Sequence, residues 1–154
     1  ITLSITTNAS NLSVDAKNRG INDTCYNYLS QIEKSYEING LNITFAHPEN
    51  PSKLPSLHVS SQQYNNGSSS FSATLVPEDE YCYLSIVLVT SINNQSCSEI
   101  AQIKAANENL QATNYADGSF IILTPSDNNY QIILTSSSKN SCTMTESRMM
   151  WPSK

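Results

Sequence analysis

Residues 81–89 form the most apolar run of the chain, and they constrain the fold more than any other stretch. This run is rich in β-branched and aromatic side chains. It is too short to cross a bilayer as a helix and suits a strand buried on both faces. An alternating segment, residues 71–76, precedes it and ends at Pro77, followed by three carboxylates at residues 78–80. Proline and charged residues favour a solvated turn, so the two runs predict a β-hairpin.

A second stretch, residues 119–136, has the same layout. Both stretches open with Ser-Phe, enter the turn through Leu-x-Pro, begin the return strand with Tyr, and lead to a cysteine after Asn and Ser. One interpretation is an internal duplication of a hairpin unit. The other is that two hairpins look alike by chance in a chain rich in Ser and Asn. The sequence leaves both interpretations open.

Two helices are indicated by apolar residues at helical spacing. The first covers about residues 22–38 and carries one stripe, and Gly40 follows it at the position of a C-terminal cap. The second covers about residues 97–110, and its start has a capping-box pattern, Ser96 with Glu99 three residues later. The predicted stripes are Cys25, Tyr28, Leu29, Ile32 and Tyr36 in the first helix, and Ile100, Ile103, Ala106 and Leu110 in the second.

The remaining patterns predict a single α+β domain over residues 1–154. We expect a hairpin-rich antiparallel β-sheet of about six to eight strands, with two α-helices packed on one face and disulfides stabilising the whole. Residues 1–12 are a polar N-terminal segment, in which residues 1–7 alternate as an edge strand would. Strands are expected at about residues 41–46, 57–63, 70–76, 81–91, 119–124, 129–136 and 142–150.

Four cysteines, an even number without a CxxC pair, favour two disulfides over a zinc site. Cys25 lies on the apolar stripe of the first helix, and Cys82 shares a strand face with core residues. Cys97 and Cys142 follow the two similar hairpins. We therefore predict the pairs Cys25–Cys82 and Cys97–Cys142.

The composition indicates a compartment outside the cytoplasm, secreted or periplasmic. Charged residues make up only 14 % of the chain, and Asn, Ser, Thr and Gln supply most of its polarity. The net charge of −5 argues against nucleic acid and against an anionic membrane surface as partners. No window of 18 apolar residues exists, so we expect no membrane span. The chain begins at Ile1 without a signal-peptide pattern, which suggests a mature or trimmed chain.

Asn-x-Ser/Thr sequons occur six times, which raises the question of glycosylation. Roughly four would arise by chance in a chain so rich in Asn and Ser, and a sequon alone is weak evidence. The sequons therefore do not decide between a bacterial and a eukaryotic source. They begin at Asn8, Asn11, Asn22, Asn42, Asn66 and Asn94.

Catalytic and metal-binding motifs are not recognisable in the sequence. His47 precedes a proline in a loop, and His58 lies in a predicted strand, and neither has Cys, Asp or Glu at ligand spacing. The acidic residues at 78–80 and the stretch Asp127-Asn128-Asn129 are interpreted as solvated turns, since calcium loops space their carboxylates and include glycine. We expect no cofactor and no metal. A thiol nucleophile would need a free cysteine close to a histidine.

Aromatic and amide side chains in turns are the best candidates for ligand contacts. An aromatic ring flanked by amides suits a sugar or a protein surface. The tail is open to two interpretations, a plug at the base of the core or an adaptable contact for a partner. The candidate contacts are Tyr64, Asn65 and Asn66, then Tyr115 and Asp117, and in the tail Met149, Met150 and Trp151.

Three functions follow as hypotheses. The first is a non-enzymatic binding domain, secreted or periplasmic and bacterial, with a protein or glycan ligand. The second is the ectodomain of a eukaryotic or viral glycoprotein that binds a receptor, and the third is a small hydrolase or thiol enzyme. The ligand's identity and the oligomeric state do not follow from the sequence.

Overall fold

An antiparallel sheet of eight strands, covered on one face by three helices, makes up the part of the chain that the structure describes, residues 11–151 of a computed structural model. The strands lie in the order β1-β2-β3-β4-β8-β7-β6-β5. This arrangement confirms the predicted α+β class. The helices are α1 (Leu12–Asn18), α2 (Asp23–Ser35) and α3 (Cys97–Glu108), and the strands are β1 (Leu41–Phe45), β2 (Ser56–Tyr64), β3 (Gly67–Glu78), β4 (Tyr81–Asn93), β5 (Gln111–Tyr115), β6 (Phe120–Thr124), β7 (Tyr130–Ser138) and β8 (Ser141–Met150).

The sheet contains two similar halves, each a helix followed by a four-stranded meander. The first half is α2 with β1–β4, the second is α3 with β5–β8, and the last strands of the two halves pair antiparallel at the sheet centre. The two hairpins that look alike in sequence are β3–β4 and β6–β7. They do not occupy equivalent places, because β3 and β4 correspond by position to β7 and β8.

Each half has its own disulfide, placed in the same way. Cys25 in the first turn of α2 bonds to Cys82 near the start of β4, and Cys97 at the start of α3 bonds to Cys142 near the start of β8. Both predicted pairings are therefore confirmed. Each bond ties the beginning of a helix to the last strand of its own half.

Two cores lie between the helices and the sheet. In the first, Leu29 of α2 packs over Phe71 of β3 and Leu84 of β4, all at most 1 % exposed. In the second, α3 packs over Leu123 of β6 and Leu134 of β7, both fully buried. Alternation along the strands directs these apolar side chains to the helices.

Helix α1 was not predicted, because the expected polar segment ended at residue 12 and no element was assigned to residues 13–21. Leu12 and Ala16 are fully buried against the first core. Glu33 of α2, itself 7 % exposed, accepts hydrogen bonds from the backbone N–H groups of Leu12 and Ser13. Its carboxylate satisfies donors that the first turn of a helix leaves unpaired. The edge strand expected at residues 1–7 lies outside the described residues.

Three further details differ from expectation. Strand β5 was not foreseen, since all its residues are exposed and mostly polar. On α3 the buried residues are Cys97, Ile100 and Ala101, whereas Ile103 is 51 % exposed. Gly40 does not cap α2, which ends at Ser35; an added Cβ on Gly40 would lie 2.0 Å from the Ser61 carbonyl oxygen. The capping box of Ser96 and Glu99 is present as predicted.

Candidate functional site

The face of the sheet opposite the helices has no described element packed on it, and we call it the open face. Strand alternation and the cross-strand pairing place alternate side chains there. Its members are Leu41, Ile43 and Phe45 (β1); Leu57, Val59, Ser61 and Gln63 (β2); Ser68, Ser70, Ser72, Thr74 and Val76 (β3); Tyr83, Ser85, Val87, Val89 and Ser91 (β4); Thr143, Thr145, Ser147 and Met149 (β8); Gln131, Ile133 and Thr135 (β7); Phe120, Ile122 and Thr124 (β6); and Gln111, Thr113 and Tyr115 (β5).

None of these open-face side chains is charged. Among the described residues, the charged groups lie on the helices, in loops and turns, and on the helix side of β8, where Glu146 and Arg148 stand. Glu78, the last residue of β3, follows the alternation of Val76 and pairs with Tyr81, so one carboxylate stands at the border of this face. Charged residues are depleted at the centres of protein interfaces, because stripping water from an unpaired charge is costly. The open face can therefore lose its water at a low electrostatic cost.

Large apolar side chains are frequent on this face. Phe45 is 59 % exposed, Phe120 43 % and Val87 37 %. Single exposed apolar residues are ordinary, whereas an extended group of them marks a site of contact. From strand spacing and rise, the open face covers on the order of 1,000 Å². A standard protein interface buries about 800 Å² on each partner, so the face is large enough for one.

Two clefts adjoin at one end of the open face. The first, the apolar cleft, has a volume of about 460 Å³ and is lined by Phe45, Ala46, His47, Leu54, Pro55, Ser56, Leu57 and Thr74. The second, the Trp151 cleft, has about 470 Å³ and is lined by Ser85, Ile86, Val87, Asn128, Asn129, Tyr130, Gln131, Ser147, Arg148, Met149 and Trp151. Thr74 of one cleft is the cross-strand partner of Ser85 of the other. The clefts therefore form a continuous band across neighbouring strands.

The tail that ends β8 contributes the most exposed aromatic side chain of the described residues. Trp151 is 71 % exposed, and its ring meets Tyr83 edge to face with 6.1 Å between centroids. Met149 lies on the open face beside it and is 43 % exposed. Met150 points the other way and packs against the first core. Of the three tail residues expected to contact a partner, the open face thus holds Met149 and Trp151, whereas Met150 plugs the core.

The other expected contacts lie at the opposite end of the sheet. Tyr64 is on the helix side, half exposed, with its hydroxyl 3.1 Å from the Ser69 hydroxyl. Asn65 and Asn66 form the β2–β3 turn next to it. Tyr115 belongs to the open face but lies on the far edge strand β5. The structure therefore does not bring the predicted contact residues together.

Asp117 lies near a third cleft, beside the start of α3. This cleft has a volume of about 590 Å³ and is lined by Ser96, Cys97, Ser98, Asn114, Asp117, Gly118, Ile121 and Ser136. Asp117 and its neighbour Ala116 both have positive φ, 54° and 49°. Residues other than glycine rarely adopt this region, so the turn is conformationally strained.

A chain of hydrogen bonds and ring contacts joins the two halves on the helix side. The hydroxyl of Tyr36, the C-cap of α2, donates to the Glu146 carboxylate at 2.6 Å, and Arg148 lies over the Tyr130 ring. Tyr130 in turn donates to Glu108 of α3 at 3.1 Å. Burial, together with the hydrogen bond to Glu146, raises the pKa of Tyr36. Both tyrosine hydroxyls therefore stay protonated and act as hydrogen-bond donors. This series of contacts connects α2 and α3 to the central strands of the sheet.

The two histidines differ in accessibility, and neither has a free cysteine thiol to activate. His58 is fully buried, with its ring nitrogens 3.2 Å from the Thr44 hydroxyl and 2.8 Å from the Ser56 hydroxyl. His47 is exposed and accepts hydrogen bonds from the backbone N–H groups of Glu49 and Asn50. All four cysteine sulfurs are in disulfides, so none is a free thiolate. Within residues 11–151, no group of three His, Cys, Asp or Glu side chains could hold a metal ion.

Burial of His58 predicts a loss of stability in mild acid. Burial lowers its pKa from 6.5 to about 4, so the folded protein keeps it neutral while the unfolded chain binds a proton. The resulting stability is complete above pH 6.5 and falls by roughly 3 kcal/mol as the pH drops toward 4. Urea unfolding measured from pH 7 to 4.5 should show this loss.

The control for this prediction is His58→Asn, which keeps a polar side chain but cannot titrate. Its free energy of unfolding should vary less with pH over the same window than that of the wild type. An identical pH dependence in the two proteins would show that other groups are responsible.

Comparisons with protein-family models, with curated proteins and with solved structures found no match to this chain. Any functional conclusion therefore rests on geometry and chemistry. Within the described part of the chain, no helix combines the length and apolar character that crossing a membrane requires.

Proposed function

We propose that this chain is a non-enzymatic binding domain that acts outside the cytoplasm and docks a partner protein on its open face. One observation carries the proposal. The open face is uncharged and rich in exposed apolar side chains, while the charged residues of the described chain lie on the helices, the loops, the rim and the helix side of the sheet. The protein has a net charge of −5, yet this face carries no charged side chain away from its rim. The same depletion of charged residues is found at the centres of protein interfaces.

The extracytoplasmic location is supported by the two disulfides and by the composition. Disulfides persist in oxidising compartments and are rare in the cytosol. Each bond closes a long segment of chain, with sequence separations of 57 and 45 residues. The polar surface also relies on neutral Asn, Ser, Thr and Gln more than on charged groups.

A protein fits this face better than nucleic acid or an anionic membrane does. Both of those ligands are recognised by Lys and Arg, which the open face lacks. A neutral protein surface of about 800 Å² needs no charge opposite it, and its apolar side chains can anchor in pockets. The apolar cleft offers such a pocket, where Phe45, Leu54 and Leu57 are between 37 % and 59 % exposed.

The glycoprotein hypothesis is compatible with this docking mode. Asn66 and Asn94 are exposed in turns at the end of the sheet away from the two clefts, and Asn11 is exposed before α1. Sugars attached at these positions would leave the open face accessible. The hydrolase or thiol-enzyme hypothesis has no comparable support, since His58 is enclosed and His47, which lines the apolar cleft, has no free cysteine thiol to activate.

The proposal predicts that one charge on the open face abolishes partner capture. Val87→Lys places an ammonium at the centre of the face, and Ile103→Lys is the matched control on exposed α3. Each immobilised protein is incubated with the secreted protein fraction of the source cells, and retained proteins are quantified by mass spectrometry. We expect at least one protein retained by the wild type and by Ile103→Lys, and reduced at least tenfold on Val87→Lys.

Two results would contradict docking on the open face. Equal retention on Val87→Lys and the wild type would place binding elsewhere, as would a loss confined to Ile103→Lys. Near-UV circular dichroism of each variant verifies that the fold is intact before capture is compared.

A further inference from the structure

We propose that the Trp151 cleft binds a neutral saccharide. Its lining combines an exposed indole with side chains that donate and accept hydrogen bonds without carrying charge. The polar groups come from three adjacent strands and the β6–β7 turn: Ser85, Ser147, Gln131, Asn128 and Asn129.

A sugar ring matches this combination. Pyranoses present apolar C–H faces that stack on aromatic rings, and a rim of hydroxyls that pair with amides and hydroxyls. Trp151 is 71 % exposed and offers a broad apolar surface, while Val87 and Met149 line the cleft next to it. The volume of about 470 Å³ lies within the range of small-molecule sites and suits one or two sugar units.

The charge pattern selects a neutral ligand. Arg148 is the one charged residue that lines the cleft, and its guanidinium is engaged on the helix side, 3.6 Å from the Glu146 carboxylate and over the Tyr130 ring. The one cation of the lining is therefore already balanced by Glu146, and the lining holds no carboxylate for an amine.

Two contacts hold the recognition groups in place before a ligand arrives. The edge-to-face contact with Tyr83 restricts the orientation of the Trp151 indole. The Asn129 amide donates to the Asp127 carboxylate at 2.6 Å, and the backbone N–H of Asn129 donates to the same carboxylate at 3.2 Å. Groups that are ordered in advance lose less entropy on binding.

This inference goes beyond the proposed function, because a saccharide needs only one end of the open face. Trp151 is the single tryptophan of the chain, so fluorescence excited at wavelengths where tyrosine does not absorb reports on this cleft alone. The probes are chitobiose, lactose, maltose and mannobiose, each titrated to 50 mM. We expect a saturable fluorescence change with at least one of them, weakened at least tenfold in Gln131→Ala and unchanged in the control Ile103→Ala on α3.

Further binding experiments distinguish a free glycan from a glycan that is attached to a protein. Binding of a neutral polysaccharide indicates a free glycan, whereas binding of a glycoprotein that is lost after enzymatic deglycosylation indicates a protein-borne glycan; both support the inference. No saturable response to any saccharide overturns it, as does a response that Gln131→Ala leaves unchanged. A response to a neutral peptide alone also overturns it, because the cleft would then belong to the part of the open face that docks a protein.

The two proposals can fail separately. Protein capture that depends on Val87, without any saccharide response, contradicts the saccharide site alone. A saccharide response that depends on Gln131, without any protein capture, contradicts the proposed docking function alone.

Discussion

Leu84→Asp is expected to abolish folding, whereas Ser85→Asp, one residue further along the same strand, should leave the protein folded. Leu84 is 1 % exposed and packs in the first core, while Ser85 lies on the open face. A carboxylate buried without a partner costs several kcal/mol, enough to consume much of the 5–15 kcal/mol that typically stabilises a domain. An aspartate in a partly exposed strand position costs about 1 kcal/mol.

Soluble yield, near-UV circular dichroism and urea unfolding distinguish the two variants. We expect no cooperative transition for Leu84→Asp and a transition close to the wild-type one for Ser85→Asp. Equal damage by both substitutions would mean that the face we call open is covered.

Reduction of the two disulfides should produce the second large effect, a fall in melting temperature. The loops closed by Cys25–Cys82 and Cys97–Cys142 span 57 and 45 residues, and chain-entropy arguments assign about 4 kcal/mol to each bond. For a domain of this size, each bond then corresponds to a shift of roughly 8–16 °C. Calorimetry with and without a reductant measures the shift, and mass spectrometry after alkylation verifies that the bonds are open.

Paired variants separate the two contributions. Cys25→Ala with Cys82→Ala should loosen the first core, and Cys97→Ala with Cys142→Ala the second, as amide hydrogen exchange in α2 and in α3 would report. An unchanged melting temperature after verified reduction would show that the two disulfides do not stabilise the fold.

The sequence was most informative where local pattern and tertiary burial agree. In β3 and β4, alternation identified the core face, because Phe71, Leu75 and Leu84 all point to the helices. The cysteine pairing could be predicted from which side of each element is buried. Cys25 lies on the buried stripe of α2, and Cys82 lies on the buried side of β4.

Elements that depend on distant partners were not predictable. Helix α1 is short, and its start is stabilised by Glu33, some twenty positions away in sequence. Gly20, a residue type that is unfavourable inside a helix, has φ of 83° and follows the last turn of α1. Strand β5 is wholly exposed and pairs only with β6, so it carries no apolar alternation.

The candidate site was foreseen in part. Exposed Trp151 and Met149 and the edge residue Tyr115 were candidates, but Phe45, Leu57 and Phe120 were taken as strand residues without a role. A one-sided alternation shows that a strand has two different faces, yet it does not show which outward side chains of different strands the sheet pairing brings together. A signal was nevertheless present, since the predicted strands place Ser, Thr and apolar residues, but hardly any charged ones, on their outer face.

Hydroxyl-radical footprinting of the protein, alone and with a partner captured as described above, tests the central claim most directly. The account predicts that Phe45, Phe120 and Met149 on the open face become protected in the complex. Val14 on α1 and Ile103 on α3, 44 % and 51 % exposed, should be oxidised equally in both states. Protection of Val14 and Ile103 with an unchanged open face would contradict it, because the partner would then bind on the helices.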